Sequence, residues 1–277
     1  MKKLIKSILL KAIGYFTSVL KKNKVGRYVL EQLLSQAMNT VEAVNYKNNK
    51  LNFVVPNGLN HFRIKSFATK EPETLAWIDG IEKNAILWDI GANIGLYSCY
   101  AAQARNCKVY AFEPSVFNLE LLSRNIFINQ LVDQITILPI ALSDGTKTAN
   151  LKMTTTEWGG ALSTFEQGYT HDGSQIKKIF EFKTLGLSMN DAVALLKLPQ
   201  PDYIKMDVDG IEHLILKGGH EVLKVVKGVI IEINEEFQKQ SADSSQYLKD
   251  AGLTMIDKKH SDMFDGTICY NQIWSRI

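Results

Sequence analysis

Two acidic residues stand at the ends of neighbouring apolar segments, where they could hold a nucleoside cofactor. Asp89 lies in the apolar run AILWDI, and the turn GANIG follows it directly. Glu113 ends the next apolar run, KVYAFEP, about twenty residues after that turn. A glycine-rich turn lets the backbone approach a ligand, and an acid at the end of the following strand commonly accepts hydrogen bonds from ribose hydroxyls. The pair therefore predicts a site for a ribose-containing cofactor.

The glycine spacing and the charge of Asp89 favour S-adenosylmethionine over a dinucleotide. Dinucleotide-binding turns have the pattern G-x-G-x-x-G and bind a pyrophosphate, whereas this turn has only Gly91 and Gly95. A carboxylate beside the turn would repel a pyrophosphate but attract an ammonium or a sulfonium. The alternative is that Asp89 and Glu113 only cap helices. The predicted cofactor-binding residues, with an adenine pocket after the third strand, are Asp89, Gly91, Ala92, Asn93, Gly95, Glu113, Pro114, Leu142, Ser143 and Asp144.

A second acidic cluster, DVDGIEH, follows the apolar segment PDYIKM and is the predicted site of chemistry. Strand alternation would place Lys205, Asp207 and Asp209 on one side, facing the acceptor. Asp207 is the first choice for a general base or metal ligand, because a carboxylate at this strand end can take a proton or bind a divalent cation. Asp209 and Glu212 are further candidates, and His213 is an alternative base.

Each of these assignments has a structural alternative. Glu212 would stand in the first turn of a helix, where the dipole favours an acid, and His213 could be an ordinary helical residue. Asp207 and Asp209 would bind a divalent cation such as Mg²⁺ if one is used, whereas the lack of histidine and cysteine clusters makes zinc improbable. Trp158, in a polar loop, either contacts a sugar acceptor or covers the core. Glu232 and Asn234, at the end of the fifth strand, could also face the acceptor.

Alternating strands and helices are predicted from residue 85 onward, and they would position these residues in a doubly wound, mostly parallel α/β sheet. The predicted strands are 85–90, 108–114, 135–142, 201–208 and 228–234, with helices at 96–105, 115–129, 188–198 and 210–226. The segments 253–259 and 267–277 resemble a closing antiparallel strand pair. Residues 143–183 read as a polar stretch without a repeated pattern.

Before this alternation, the sequence predicts helices and one strand pair. Val25–Asn45 is predicted as a helix, and a strand pair is predicted at 51–56 and 61–67 around Asn57–Gly58, a dipeptide typical of tight turns. A further helix is predicted to begin at Glu71–Pro72.

Residues 1–24 form a basic amphipathic segment. Ile5, Ile8, Leu9, Ala12, Phe16, Val19 and Leu20 recur at helical spacing, and eight basic residues but no acidic ones lie in residues 1–30. The charges make the segment unsuitable as a signal peptide or a membrane span. It would lie on an anionic membrane surface, or dock on its own domain or a second subunit of a homo-oligomer. We therefore predict a helical arm over 1–50 and a cofactor-binding domain over 51–277.

Composition indicates a globular protein with a substantial core. Of 277 residues, 45% are hydrophobic and 22% charged, and the net charge of +3 is too small to indicate a nucleic-acid partner. Three cysteines without paired spacing favour a reducing, cytoplasmic environment, with peripheral association at the inner membrane surface as a further possibility.

The motifs LWDIGANIGLYS, VYAFEPSVFNLELLSRNI, LPIALSD and IKMDVDGIEHLILKG resemble the FkbM family of methyltransferases over about residues 65–235. The resemblance implies a class I, Rossmann-like methyltransferase fold, S-adenosylmethionine as cofactor, and O-methylation of hydroxyls in sugars, glycans or natural products. One departure is that family members usually have glutamate where this chain has Asp209. The alternatives are a non-catalytic scaffold that binds a nucleoside cofactor, and a dehydrogenase, which the missing G-x-G-x-x-G disfavours.

Overall fold

The chain begins with helices and a hairpin that precede the central sheet. The computed structural model describes residues 2–277, with the side chains of residues 4–277. The first elements are α1 (Lys2–Leu20), α2 (Lys24–Met38), β1 (Val41–Tyr46) and β2 (Asn49–Val54), and the two strands pair antiparallel. Three helices follow: α3 (Gly58–Lys65), α4 (Phe67–Lys70) and α5 (Pro72–Gly80).

Two predictions for this region are wrong. The helix predicted over 25–45 ends at Met38, because the next residues pair with β2 in a hairpin. The predicted strand over 61–67 is largely helix α3, which begins where the Asn57 side chain accepts a hydrogen bond from the backbone N–H of Asn60. The predicted helix at Pro72 is confirmed. The hairpin crosses residue 50, and the division of the chain at that residue stays a prediction.

The predicted alternation begins at residue 86. The elements are β3 (Ile86–Ile90), α6 (Leu96–Arg105), β4 (Lys108–Phe112), α7 (Val116–Ile128), β5 (Ile135–Leu138) and β6 (Ala141–Leu142). The third predicted strand is thus split into β5 and β6. Pro139 lies at the break, and proline has no backbone N–H to continue a ladder.

The polar stretch after β6 contains a second sheet that the sequence did not predict. Its order is β6-β9-β7-β8, with β7 (Lys147–Met153), β8 (Ser163–Phe165) and β9 (Phe180–Leu187). Much of β7 and β9 is polar and only partly buried, so the usual strand pattern is weak there.

The remaining elements return to the central sheet. They are α8 (Met189–Leu196), β10 (Tyr203–Met206), α9 (Glu212–Lys217), α10 (His220–Leu223), β11 (Gly228–Asn234), α11 (Gln238–Asp250), β12 (Thr254–Lys259), a 3₁₀ turn (Asp262–Phe264) and β13 (Cys269–Ser275). The single helix predicted over 210–226 is therefore two short helices, interrupted at Gly218–Gly219, because glycine is a poor helix former.

The seven-stranded sheet has the order β12-β13-β11-β10-β3-β4-β5 and confirms the predicted fold class. The strands β11, β10, β3, β4 and β5 run parallel, and β12 and β13 form the predicted antiparallel pair. After β3, the chain adds β4 and then β5 on one side of that strand. It later returns to add β10 on the other side of β3, so the strand order reverses between β3 and β10. In such sheets, ligands bind beyond the carboxyl ends of the strands at this switch point.

Apolar cores cover both faces of this sheet. Trp88 and Ile90 belong to one buried cluster, whereas Leu87, on the opposite face of the same strand, belongs to another. The sheet is therefore held rigidly from both sides. None of the helices within the described residues is long and apolar enough to cross a bilayer.

Candidate cofactor and active site

A cavity of about 660 Å³ opens at the carboxyl ends of β3, β4, β10 and β11. Its size is in the range of small-molecule sites. Eleven of the predicted site residues line it: Gly91, Ala92, Asn93, Glu113, Pro114, Leu142, Lys205, Asp207, Asp209, Glu232 and Asn234. Seven do not: Asp89, Gly95, Ser143, Asp144, Trp158, Glu212 and His213.

The turn after β3 is held in close contact with the end of β10. Gly91 has φ of +83°, and a Cβ there would lie 1.8 Å from the carbonyl oxygen of Asp207. The backbone N–H groups of Gly91 and Ala92 both donate to the carbonyl oxygen of Phe112 on β4. The turn therefore joins three strand ends at the cavity wall, and only glycine fits at its first position.

Glu113 is a buried acid on the cavity wall, at the end of β4. One carboxylate oxygen accepts the backbone N–H of Asn93 and the other that of Ser115, each at 2.8 Å. Burial raises the pKa of Glu113 to about 7. The carboxyl group thus supports the glycine turn and also faces the cavity.

Asp89 lies behind the cavity and is not part of its wall. Direct contact between Asp89 and a cofactor therefore stays a prediction. Asp89 is 1% exposed, and one carboxylate oxygen accepts a hydrogen bond from the Ser98 hydroxyl at 2.5 Å. The other oxygen lies 3.5 Å from the Lys205 ammonium group. The carboxylate therefore balances a buried lysine that does line the cavity.

An apolar wall lies near the place predicted for adenine. Leu142 lines the cavity, as do Phe112, Ile140, Leu151 and Phe165.

The polar neighbours of Leu142 point elsewhere. The Asp144 carboxylate lies 2.9 Å from the ammonium group of Lys147 and 3.5 Å from that of Lys217, and the Ser143 hydroxyl donates to Asp144. Neither Ser143 nor Asp144 lines the cavity, and their contact with the adenine base stays a prediction.

Lys205 and Asp207 form the polar centre of the cavity. The Lys205 ammonium group is buried and lies 3.7 Å from the Asp207 carboxylate. Burial alone would lower the pKa of Lys205, but the carboxylates of Asp89 and Asp207 and two further glutamates raise it above its usual value. Lys205 is therefore a permanently charged group, and the Asp207 side chain, 26% exposed, is open to a ligand.

Asp209 faces the cavity but is already engaged. It adopts φ of +62°, and its carboxylate accepts the backbone N–H of Leu162 at 2.7 Å. Burial and the nearby Asp207 raise the pKa of Asp209 to about 6. Its hydrogen bond is with the loop from the second sheet, and a metal site shared with Asp207 stays a prediction.

Glu212 supports the loop after β10 instead of facing a substrate. Its carboxylate accepts the backbone N–H groups of Val208 and Gly210, each at 3.0 Å, and a hydrogen bond from the Gln240 amide. His213 is buried and packs edge-on against Phe237. Neither residue lines the cavity, so the structure does not place them in contact with an acceptor.

Two acids that line the cavity come from elsewhere in the chain. Single oxygens of Glu71, Asp207 and Glu232 all lie within 4.8 Å of one another. Glu71 is buried at the start of α5 and lies 2.5 Å from the Lys70 ammonium group. Burial, with Asp207 and Glu71 nearby, raises the pKa of Glu232 well above its usual value.

These two acids differ in how far the sequence indicated them. Glu232 was predicted to face the acceptor, from its place at the end of a strand. In the sequence, Glu71 is an acid at the start of a predicted helix. No neighbouring residue indicates that it lies in the cavity.

The loop 155–162 from the second sheet closes one side of the cavity. Gly160, Ala161 and Leu162 line the cavity, and the Gly160 carbonyl accepts from the side-chain amides of Asn93 and Asn118. The Trp158 side chain turns away and donates to the Glu120 carboxylate at 3.2 Å, packing over a cluster that includes Met38. The loop therefore contributes backbone to the site, whereas its tryptophan covers the core.

A doubly wound sheet with an acid-lined cavity at its switch point defines a Rossmann-like, methyltransferase-type domain. Residues 89–255 match the family model described as "Methyltransferase FkbM domain". The chain therefore belongs to the FkbM methyltransferase family, and the resemblance noted from its motifs is confirmed.

Similar proteins carry related names. "Hexuronic acid methyltransferase AglP" of Haloferax volcanii is 26% identical over 204 residues, which cover 73% of this chain and 77% of that protein. "Methyltransferase sdnD" of Sordaria araneosa is 27% identical over 177 residues, covering 56% of this chain and 68% of that protein. Among solved structures, methyltransferase FkbM from Methylobacillus flagellatus has 15% identity and a TM-score of 0.48, covering 70% of this chain and 44% of that one.

Proposed function

We propose that this methyltransferase transfers a methyl group from S-adenosylmethionine to a hydroxyl of a sugar or glycan. The observation that carries the proposal is one cavity lined both by the glycine turn with Glu113 and by three converging carboxylates. Those carboxylates belong to Glu71, Asp207 and Glu232, and Gly91 of the turn lies against the backbone of Asp207. A sugar acceptor is supported by the printed name of the relative from Haloferax volcanii.

The residues present fit this cofactor. Glu113 would accept hydrogen bonds from ribose hydroxyls, and Leu142 with its apolar neighbours would pack on the adenine. Acidic residues around the cavity would offset the positive charge of the ammonium and sulfonium groups. When bound, S-adenosylmethionine supplies an electrophilic methyl group.

The acceptor hydroxyl must lose its proton as the new bond forms, and Asp207 is our candidate for the base. The Asp207 side chain is 26% exposed, so a ligand in the cavity can reach it, whereas the Glu71 side chain is only 2% exposed. The raised pKa of Glu232 favours its protonated form, which can donate a hydrogen bond to the acceptor oxygen. Lys205 holds Asp207 in place from behind.

If the reaction uses a divalent cation, Glu71, Asp207 and Glu232 are the residues that would hold it. Carboxylate oxygens are the ligands that Mg²⁺ prefers, and these three converge within 4.8 Å. The ammonium groups of Lys70 and Lys205 lie beside Glu71 and Asp207 and already balance part of this charge. Turnover measured with a chelator, and again after Mg²⁺ is restored, decides between the two arrangements.

Replacing Asp207 with asparagine tests the proposed base. Asp207→Asn keeps the size of the side chain but removes its basicity, so we expect turnover to fall by about a hundredfold or more, with affinity for S-adenosylhomocysteine little changed. Turnover is measured on uronic acid and neutral sugar acceptors, and affinity by calorimetry. Asp133→Asn, at an exposed position outside the cavity, is the matched control.

The same experiment separates an enzyme from a cofactor-binding scaffold. A scaffold would bind the cofactor but give no methylated product with the wild-type chain. Full turnover in Asp207→Asn would show instead that another group takes the proton. Failure of the wild-type chain to bind S-adenosylhomocysteine would refute the cofactor assignment itself.

A further inference from the structure

Helix α1 leaves its apolar residues uncovered. Every side chain from Leu4 to Phe16 is exposed, and Leu4, Ile5, Ile8 and Leu9 are each between 58% and 66% exposed. Helix α2 adds five more large exposed apolar side chains: Val25, Tyr28, Val29, Leu33 and Leu34. Exposed apolar surface on this scale marks a site of interaction.

The joint between α1 and α2 gives this surface a defined geometry. The Asn23 side chain accepts the backbone N–H of Gly26 at 2.7 Å and begins α2. A Cβ on Gly26 would lie 2.0 Å from the carbonyl oxygen of Leu20, so glycine allows the two helices to meet closely. At its other end, α2 is anchored by Met38, which packs with Val54 and Leu121 of the domain. The helices therefore project together from a fixed attachment.

The charge of these helices is of one sign. Eight basic residues and no acidic ones precede Glu31, whereas the rest of the chain has 24 basic and 29 acidic residues. At about 100° per residue, Lys6 and Lys11 of α1 fall on either side of the stripe formed by Ile5, Ile8 and Phe16. Lysines beside an apolar stripe suit the interface of a bilayer, where the stripe enters the lipid and the ammonium groups meet anionic headgroups.

We propose that the α1–α2 arm docks the protein on the surface of an anionic bilayer, with α1 lying in the interface plane. Charge complementarity favours lipid over a second copy of the chain. In a twofold contact the same patch meets itself, which would bring two sets of eight positive charges together. The inference is independent of the proposed methyl transfer, because none of the arm residues named above lines the cavity.

Vesicle binding by the full-length chain tests this docking. We expect binding to vesicles of phosphatidylcholine with phosphatidylserine, much weaker binding to phosphatidylcholine alone, and loss of binding as salt rises. The double substitution Ile8→Glu with Phe16→Glu should weaken binding by at least about tenfold, because two apolar side chains no longer enter the lipid. Phe127→Glu, at an apolar residue of α7 that is 78% exposed, is the matched control and should bind as wild type.

Two further measurements make the result decisive. Thermal unfolding should be unchanged in the arm variant, because both side chains are exposed. The docking is overturned if both kinds of vesicle bind equally, if neither binds, or if Phe127→Glu weakens binding as much as the arm variant. It is also overturned if light scattering finds a dimer that the arm variant dissolves while vesicle binding is absent.

Discussion

Asp89 and Glu113 both stand near the ends of adjacent strands, but Asp89 lies opposite Ala111, two residues before Glu113, and the two acids have different surroundings. Asp89 is enclosed by Ser98 and Lys205 behind the cavity, whereas Glu113 faces it. The difference follows from Lys205, a buried cation that needs a carboxylate beside it. The predicted pair therefore consists of one acid that faces the cavity and one that pairs with the lysine.

The pKa of Glu113 predicts how cofactor affinity depends on pH. Burial raises this pKa to about 7, so the carboxyl group is mostly protonated at lower pH and mostly ionised at higher pH. Ribose hydroxyls donate to the ionised form, so affinity for S-adenosylhomocysteine should fall by up to about tenfold per pH unit below that pKa. Calorimetry across this range measures the effect.

Glu113→Gln should lose this pH dependence, because its amide does not titrate. Glu221→Gln, at an exposed position on α10, is the control and should keep the wild-type profile. A wild-type affinity that is flat across the same range would contradict the assignment. Because the folded chain holds this proton more tightly, the same group should also reduce stability as the pH rises from the usual value of a glutamate towards 7.

At the scale of elements, the site depends on how closely the turn after β3 meets the end of β10. Both segments line the cavity, the turn through Gly91, Ala92 and Asn93 and the end of β10 through Asp207. Their contact is backbone to backbone, at Gly91 and the carbonyl of Asp207. The loop 155–162 of the second sheet is held against them by hydrogen bonds between its backbone and the side chains of Asn93, Asn118 and Asp209.

Gly91→Ala should therefore damage both stability and the site. A Cβ would meet the Asp207 carbonyl at 1.8 Å, and the positive φ adds strain, so we expect a loss of at least about 2 kcal/mol in the free energy of unfolding. Denaturant titration measures this loss. Gly145→Ala is the control, because a Cβ there has no neighbour within 4 Å and should leave stability nearly unchanged. Equal effects of the two substitutions would show that the contact at Gly91 is unimportant.

At the scale of the whole molecule, the antiparallel strands at the end of the chain belong to the same core as the cofactor strands. Trp274 on β13 is 1% exposed and shares a buried cluster with Trp88 of β3 and Ile231 of β11. The seven strands from residue 86 to residue 275 thus form one hydrogen-bonded sheet. A substitution that disrupts the packing of β13 should consequently lower the free energy of unfolding of the whole domain.

Trp274→Ala should destabilise the domain by about 3 to 5 kcal/mol, because it leaves a large cavity in the buried cluster that Trp274 shares with Trp88 and Ile231. Chemical denaturation followed by circular dichroism measures the change. Met255→Ala, on β12 but 45% exposed, serves as the control and should cost far less. A small effect at Trp274 would show that the terminal strands fold separately from the cofactor site.

The sequence by itself determined the chain order of the central-sheet strands, most of the helices between them up to residue 234, and the acids at the strand ends. These are local properties, because apolar runs, glycine turns and helix-starting residues depend on near neighbours. It misplaced the first hairpin and missed the second sheet, whose half-polar strands have no clear period.

The tertiary structure alone decided which acids share the cavity. Glu71, from a helix before the first strand of the sheet, joins Asp207 and Glu232, whereas Glu212 beside them supports a loop. Such partnerships depend on side chains far apart in the chain, and local residue patterns carry no information about which distant charge a buried group will meet.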